Sequence, residues 1–144
     1  MTLPPMIKAI LASLFVWGAV AFAAMVAQAA QAAQAGVAVP KLVGSEWGPH
    51  SGSSQFIQFQ TGGRIVGSGG CNRFFGSYVQ TGAELKIGRL GATKMMCEQQ
   101  VMAQENALFN VLSRVHGFQR QGHKLVLFDA LGAEIAKFQQ RDWD

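Results

Sequence analysis

The sequence has 144 residues, 49% of them apolar, and a formal net charge of +4. This length fits one domain rather than two. Without its first 29 residues, which are apolar and rich in Ala, the chain keeps eleven Lys and Arg against eight Asp and Glu. A net charge of +3 over such a chain is too dilute for a nucleic-acid-binding surface, so we expect no nucleic acid partner.

The N-terminal segment has the layout of a secretory signal peptide. Lys8 precedes a continuous apolar run over residues 9–24, and the small residues Ala27-Gln28-Ala29 follow it. We therefore predict a signal peptide over residues 1–29, although two later Ala-Gln-Ala repeats offer other cleavage registers. The alternative is an uncleaved membrane anchor, because residues 9–27 reach the ~18 residues that span a bilayer. Membrane contact is expected only through such an uncleaved segment.

Export determines how the rest of the chain is interpreted. Residues 30–40 are predicted to form an Ala/Gln-rich tether, and residues 41–144 a folded domain that is periplasmic or secreted. In an oxidising compartment the only two cysteines, Cys71 and Cys97, are predicted to form a disulfide rather than a catalytic pair. The bond would close a loop of about 27 residues and stabilise the domain by roughly 3 to 4 kcal/mol.

From Lys41 onward, short apolar runs alternate with Gly-rich breaks, a rhythm typical of an antiparallel sheet. The glycines of Thr61-Gly62-Gly63 and Thr81-Gly82 can adopt the positive φ that tight turns require. Met95–Cys97 and Gly117–Gln121 are weaker strand candidates. The main predicted strands are Leu42–Trp47, Gln55–Gln60, Arg64–Ser68, Asn72–Gln80, Glu84–Ile87, Leu125–Asp129 and Ala133–Gln139.

After Cys97 the apolar period changes from two residues to about 3.6, which predicts one helix over about residues 98–115. At about 100° per residue, its apolar side chains fall on one stripe, and Glu105 lies inside that stripe. Because burial of an isolated carboxylate is expensive, Glu105 either turns out to water or is hydrogen-bonded. The second interpretation places its partners on the loop that bears Arg73 or on Lys94. With seven or eight strands, this helix makes an α+β domain.

No strong catalytic motif is present in the sequence. It contains no Gly-x-Ser-x-Gly elbow, no His-Glu-x-x-His, no phosphate-binding loop and no Cys-x-x-Cys. The glycines of residues 66–70 precede a predicted strand rather than a helix, so we interpret them as a bulge or sharp bend. An enzyme would have to place Arg73, Glu105 or Lys94 in a cleft with a perturbed pKa. We expect no catalytic residue, no metal and no cofactor.

The most concentrated feature of the chain is the segment Gly69–Tyr78. Strand alternation sends its residues to two sides, and each side then carries an aromatic residue. We therefore expect a strand that is covered on both faces. Next to two glycines, the Asn72 side-chain amide can turn onto loop backbone, a structural role that competes with a ligand contact. The two predicted sides are Asn72, Phe74, Gly76 and Tyr78 against Arg73, Phe75, Ser77 and Val79.

The run GRIVGSGGCNRFFGSYVQTGAELKIGRLGATKMMC, from Gly63 to Cys97, closely resembles the META domain of the HslJ-like heat-shock protein family. That family has a Gly-Cys-Asn-Arg-Phe-x-Gly-x-Tyr core, a Leu-x-Ile-Gly segment, a small-Thr-x-Met-x-Cys segment and a helix with Glu, Phe and Leu on one stripe. The corresponding elements here are Gly70–Tyr78, Leu85–Gly88, Ala92–Cys97, and the residues Glu105, Phe109 and Leu112.

The resemblance implies an antiparallel, partly barrel-like sheet with one packed helix, a cell-envelope location, and a part in heat shock and antibiotic tolerance. It implies no known reaction. We therefore expect a non-enzymatic domain that contacts an unknown protein or envelope component, with motif residues that serve the fold. The alternative is a pilotin-like carrier of a lipid or other apolar ligand between sheet and helix, which requires an apolar pocket of about 300 Å³ or more. The motif residues are Gly70, Asn72, Arg73, Phe74, Gly76, Tyr78, Lys94 and Glu105.

Overall fold

The computed structural model of the protein describes residues 38–141. The chain divides into two units, Met1–Ala38 and Val39–Asp144, and the second carries the described fold. The predicted signal peptide and its cleavage site, together with residues 30–37 of the predicted tether, lie outside the described residues. Within residues 38–141, no helix has the length and apolar character needed to cross a bilayer.

Nine strands, one helix and a single 3₁₀ turn at Thr61–Gly63 make up the described domain. The helix occupies the range that the 3.6-residue period predicts, with Glu98 and Val115 as its cap residues. In chain order the elements are β1 (Ser45–Gly48), β2 (Gln55–Gln60), β3 (Arg64–Gly69), β4 (Arg73–Thr81), β5 (Glu84–Ile87), β6 (Gly91–Ala92), α1 (Gln99–Arg114), β7 (Gly117–Gln121), β8 (Lys124–Phe128) and β9 (Glu134–Gln140).

Eight of the strands close into an antiparallel barrel. The neighbours run β3-β2-β1-β9-β8-β7-β5-β4, and the pairing of β3 with β4 completes the ring. The short β6 pairs with the first half of β4, while β5 pairs with its second half. The predicted α+β class, with an antiparallel, barrel-like sheet and one helix, is therefore confirmed.

The barrel interior is filled by apolar side chains. Alternation along each strand points every second residue inward, so Leu125 and Leu127 of β8 are fully buried. Helix α1 adds Leu108 and Leu112 from its apolar stripe to the same cluster. The other members of this core are Leu42, Trp47, Ile57, Phe59, Ile65, Phe74, Tyr78, Leu85, Val115, Phe118 and Phe138.

The predicted strand over Met95–Cys97 is wrong. Residues 93–98 have no regular secondary structure, and the extra strand is Gly91–Ala92 instead. The physical reason lies with Asn72, whose side chain binds both the backbone N–H and the backbone C=O of Met95. Backbone groups used in this way are not free to form a strand ladder.

The prediction that β4 is covered on both faces is also wrong. Its inner side chains, Phe74 and Tyr78, are buried in the core. On its outer face Phe75 is 57% exposed and Val79 is 63% exposed. Helix α1 packs against the inner side of this region, where Phe109 contacts Phe74, and it leaves Phe75 and Val79 of the outer side exposed.

Candidate functional site

A tight turn of four residues joins β3 to β4 at the start of the family-like motif. The Gly69 N–H donates to the Asn72 C=O over 2.8 Å and closes the turn. Gly70 takes a φ of +108°, a conformation that residues with a Cβ rarely adopt. The glycine cluster therefore forms the sharp bend that its position before a strand predicts.

Helix α1 is joined to this turn by the carboxylate of Glu105, which is only 3% exposed. Its Oε2 accepts hydrogen bonds from the backbone N–H groups of Cys71, over 3.2 Å, and Asn72, over 2.6 Å. Its Oε1 accepts a third from Asn72 Nδ2, over 2.7 Å. Three donors, none of them cationic, thus satisfy a buried carboxylate, which is the condition that burial of its charge demands.

The amide of Asn72 extends this arrangement to the segment after β6. Its Oδ1 accepts from Thr93 Oγ1 over 2.8 Å and from the Met95 N–H over 2.7 Å. Its Nδ2 donates to the Met95 C=O over 3.2 Å as well as to Glu105. We call Cys71, Asn72, Thr93, Met95 and Glu105 the Asn72 cluster. Each polar atom of the Asn72 side chain is used within it, which leaves none for a ligand.

The predicted disulfide between Cys71 and Cys97 is present, with the two Cα atoms 6.0 Å apart. Cys71 is buried under the turn, whereas Cys97 lies on the exposed segment that leads into α1. The bond therefore links covalently the same two segments that the Asn72 side chain links by hydrogen bonds. No free cysteine is present among the described residues.

A glycine makes room for the carboxylate. A Cβ placed on Gly69 would lie 2.5 Å from Cγ and Oε2 of Glu105, far inside van der Waals contact. Gly69 is therefore required by the close approach of Glu105 rather than by its own backbone angles. The sequence pattern flagged these glycines as a bend, but it contains no signal for this packing role.

The remaining inward motif residues build the core around the cluster. Phe74 packs edge-on against Phe109 of α1, with ring centroids 5.5 Å apart. Tyr78 donates its hydroxyl to the Gln60 C=O over 3.2 Å, and burial raises the pKa of that hydroxyl. A Cβ on Gly76 would lie 2.7 Å from Leu90 Cδ2, so this glycine admits the segment before β6.

The two motif cations stand apart from the cluster. Lys94 and the side chain of Arg73 are exposed, and neither forms an ion pair within the described part of the chain. Lys94 is therefore not the partner of Glu105, whose donors lie in the loop before Arg73. Arg73 itself meets the cluster only through its backbone, which bonds to Thr93. The backbone groups of that loop are better partners because their positions are already fixed by the turn.

Arg73 lines a groove on the outer face of β1–β4, with a volume of about 630 Å³. Its three aromatic lining residues, Phe56, Phe74 and Phe75, lie among four charged ones. We call this feature the outer groove and define it by Glu46, Phe56, Arg64, Arg73, Phe75 and Arg141. The outer groove could not be found from the sequence, because the strand order that brings β9 next to β1 is not visible in the pattern of any single strand.

A second buried carboxylate, Glu46, lies at one side of the outer groove and is 4% exposed. Its Oε1 pairs with Arg141 Nε over 3.2 Å, and the guanidinium lies 5.0 Å from the ring centroid of Phe56. Among the described residues, Glu46 Oε2 and Arg141 Nη1 have no hydrogen-bond partner. Burial raises the pKa of Glu46, and the charge of Arg141 opposes that effect in part.

A separate, more apolar cavity of about 460 Å³ lies between the segment that flanks β6 and helix α1. It is lined by Ile87, Leu90, Ala92 and Phe109, with Arg89 at its side. Leu112, on the same stripe of α1 as Phe109, is fully buried in the core. Within residues 38–141 no three His, Cys, Asp or Glu side chains are grouped closely enough to hold a metal ion.

Solved structures of other proteins share this fold. A protein from Burkholderia xenovorans, solved by NMR, has a TM-score of 0.58 and 23% identity over 71% of this chain and 85% of its own. A second NMR structure has a TM-score of 0.50 and 22% identity over 66% and 87%. A DUF4847 family protein from Bacteroides vulgatus gives 0.49 and 19% over 64% and 62%. At their identities of 22% and 23%, the likeness of the two NMR structures concerns the fold alone.

The family assignment comes from the sequence. No curated protein matches the chain. The family description that does match is that of the META domain, over residues 30–142, which is more than three quarters of the chain. The same stretch contains the glycine turn, the Asn72 cluster and the disulfide. The chain belongs to the META domain family.

Proposed function

We propose that the protein is a non-enzymatic, exported domain of the envelope stress response, which supports heat and antibiotic tolerance through contacts with a protein or another envelope component. Membership of the META domain family supports this proposal. Export is supported by the Cys71–Cys97 disulfide, because such bonds persist in oxidising compartments.

One observation carries the proposal: the polar motif side chains Asn72 and Glu105 form their hydrogen bonds within the fold, while large apolar side chains face outward. Asn72 and Glu105 spend their hydrogen-bonding groups on each other and on backbone. On the outer face of β4, Phe75 and Val79 are left exposed. Large apolar side chains that are exposed on the same face of one strand mark a surface that is suited to contacts.

The test is rescue of a host strain from which the gene has been deleted. The full chain with Phe75→Ser and Val79→Ser should fail to restore survival after heat or novobiocin treatment, although its melting temperature is unchanged. Leu131→Ser is the matched control, because Leu131 is exposed on the turn between β8 and β9 and should still rescue. Full rescue by the double variant, or a deletion strain without a stress phenotype, would overturn the proposal.

The second candidate function is that of a carrier for a lipid or other apolar molecule. The cavity of about 460 Å³ beside Phe109 favours it, because it exceeds the size that an apolar ligand requires. Occupancy would be visible as an added mass in a native mass spectrum of protein purified from its own host. Ala92→Leu should fill the cavity and remove that mass. A wild-type spectrum with only the unliganded mass would contradict this function.

A further inference from the structure

The register of β3 and β4 places two arginines at opposite ends of one surface. Arg64 lies opposite Ser77, and Arg73 lies opposite Ser68, four residues further along β3. Because a strand rises about 3.3 Å per residue, the two arginines are about 13 Å apart along the strand direction. Both lie on the outer face and line the outer groove.

The surface between the two arginines is apolar. Val66 of β3 lies directly opposite Phe75 of β4, and Phe75 is exposed. Along the strand direction the outer face therefore carries a cation, then an apolar pair and then a second cation, each two residues from the next. This period is that of an extended chain, in which alternate side chains point to the same face.

The cations of the outer groove exceed its anions. Neither Arg64 nor Arg73 forms an ion pair with a described residue, and Arg141 pairs with the single carboxylate, Glu46. A guanidinium recognises a carboxylate through two parallel hydrogen bonds, and it keeps its charge at any physiological pH. The groove is therefore complementary to a ligand with two separated negative groups.

We propose that the outer groove binds an extended acidic peptide segment of a partner protein, with acidic side chains at positions i and i+4 and an apolar one at i+2. The acidic side chains meet Arg64 and Arg73, and the apolar one packs on Val66 and Phe75. This inference rests on the proposed function and names the chemistry of the partner. A uniformly charged polyanion fits less well, because its central charges would lose water against the apolar pair.

The probe is a fluorescent synthetic peptide, Gly-Glu-Ser-Leu-Ser-Glu-Gly, titrated with the full chain in a polarisation assay at low salt. Binding should weaken as salt rises, because charge pairs at a surface are screened. Arg64→Gln and Arg73→Gln should each weaken it about tenfold, which corresponds to the loss of one charge-assisted interaction. The matched control is Lys124→Gln on β8, an exposed cation on a strand outside the groove, and it should leave binding unchanged.

Peptide controls separate this proposal from its rivals. Replacing Leu by Ser, or moving the second Glu to i+3, should weaken binding; equal binding of all acidic peptides would overturn the proposal. So would equal binding of anionic lipid vesicles, or no binding of the probe at all. If shortening the chain after Arg141 raises the affinity more than tenfold, residues 142–144 are the occupant and the proposal also fails.

The two proposals can fail independently of each other. If the peptide binds as described but the deletion strain shows no stress phenotype, the proposed function fails and the peptide site stands. If rescue depends on Phe75 and Val79 but the peptide does not bind, the peptide site fails and the contact function stands.

Discussion

Two glutamates are buried in this domain to nearly the same degree, and they are stabilised in opposite ways. Glu105 is 3% exposed and accepts hydrogen bonds from two backbone N–H groups and an amide, with no cation beside it. Glu46 is 4% exposed and relies on one ion pair with Arg141. Its second oxygen has no partner among residues 38–141.

The difference separates a region that holds the fold together from one that is suited to contacts. Fixed donors around Glu105 satisfy its charge in place, and the disulfide beside it keeps those donors together. At Glu46 a single flexible arginine must offset the loss of water, which is a weaker arrangement for a buried charge. The polar side-chain atoms of Asn72 and Glu105 thus all have partners within the Asn72 cluster. At the outer groove, Glu46 Oε2 and Arg141 Nη1 have none among the described residues.

The largest effect is expected from Glu105→Leu. This change leaves the backbone N–H groups of Cys71 and Asn72, and one N–H of the Asn72 side-chain amide, without an acceptor. Each of these three buried, unsatisfied donors costs about 1 to 3 kcal/mol, so the free energy of unfolding should fall by about 4 kcal/mol or more in a urea titration. Glu105→Gln should lose less, because its remaining oxygen can still accept from the backbone.

The control is Glu98→Gln, at the exposed cap position of the same helix, where no side-chain cap bond is formed. It should change the free energy of unfolding by less than about 0.5 kcal/mol. If Glu105→Leu were as harmless as this control, the hydrogen bonds of the Asn72 cluster would not stabilise the fold, and the contrast with Glu46 would disappear.

Removal of the disulfide is expected to have the next largest effect. The variant with both Cys71→Ser and Cys97→Ser loses a link across a sequence separation of 26 residues. The chain-entropy model assigns such a loop about 3.5 kcal/mol. Urea titrations of wild type, with and without reductant, should show the same loss. An unchanged midpoint would mean that the Asn72 cluster alone fixes the segment before α1.

The helix and most strands could be predicted from the sequence because their apolar periods are local. The stripe of Leu108 and Leu112 points to the core that the structure contains. The inward face of β8 could not be predicted in this way, because residues 125–128 are all apolar, and the structure buries Leu125 and Leu127. Glu105 stood out because of the helical stripe, since a carboxylate inside an apolar stripe needs partners. The sequence left water, the loop that bears Arg73 and Lys94 open as its partners, and the structure selects backbone and amide donors of that loop.

The outer groove could not be predicted, because its parts come from strands that pair over long sequence distances. Glu46 meets Arg141 only because β1 pairs with β9. The predicted strand over Met95–Cys97 is wrong for a related reason. The backbone groups of Met95 bind Asn72, 23 residues earlier, instead of a neighbouring strand. A side chain that binds backbone groups in place of a neighbouring strand leaves no periodic pattern of apolar residues in the sequence.

A smaller loss is expected from Gly69→Ala, which tests how closely Glu105 approaches the turn. The new Cβ would lie 2.5 Å from the carboxylate and should force it off its donors. Overpacking of this kind typically costs about 1 to 3 kcal/mol. Gly117→Ala in β7 is the matched control, because its Cβ would meet nothing closer than 3.4 Å. Equal stability of the two variants would show that Glu105 can move without loss.

The smallest effect concerns pH and the other glutamate. Because burial raises the pKa of Glu46 above its usual 4.5, the folded protein holds this proton more tightly than the unfolded chain does. Ionisation of Glu46 therefore lowers stability as pH rises from 4.5 through the folded pKa, and below 4.5 the cost is absent. Glu46→Gln removes this titration, so the variant should gain stability relative to wild type as pH rises through that window.

Asp129 provides a control of opposite sign for this last experiment. The Ala133 N–H first, and then the Leu131 N–H and Arg114, hold the pKa of Asp129 below its usual 3.8. Its stabilising contribution is present above pH 3.8 and is lost as pH falls through the folded pKa, so Asp129→Asn should lose stability relative to wild type as pH rises through that range. If Glu46→Gln gave a flat difference curve, or one of the same sign as Asp129→Asn, Arg141 would satisfy Glu46 as fully as backbone donors satisfy Glu105. Glu46 would then offer no unsatisfied polar atom to a ligand, and the ligand preference of the outer groove would depend on Arg64 and Arg73 alone.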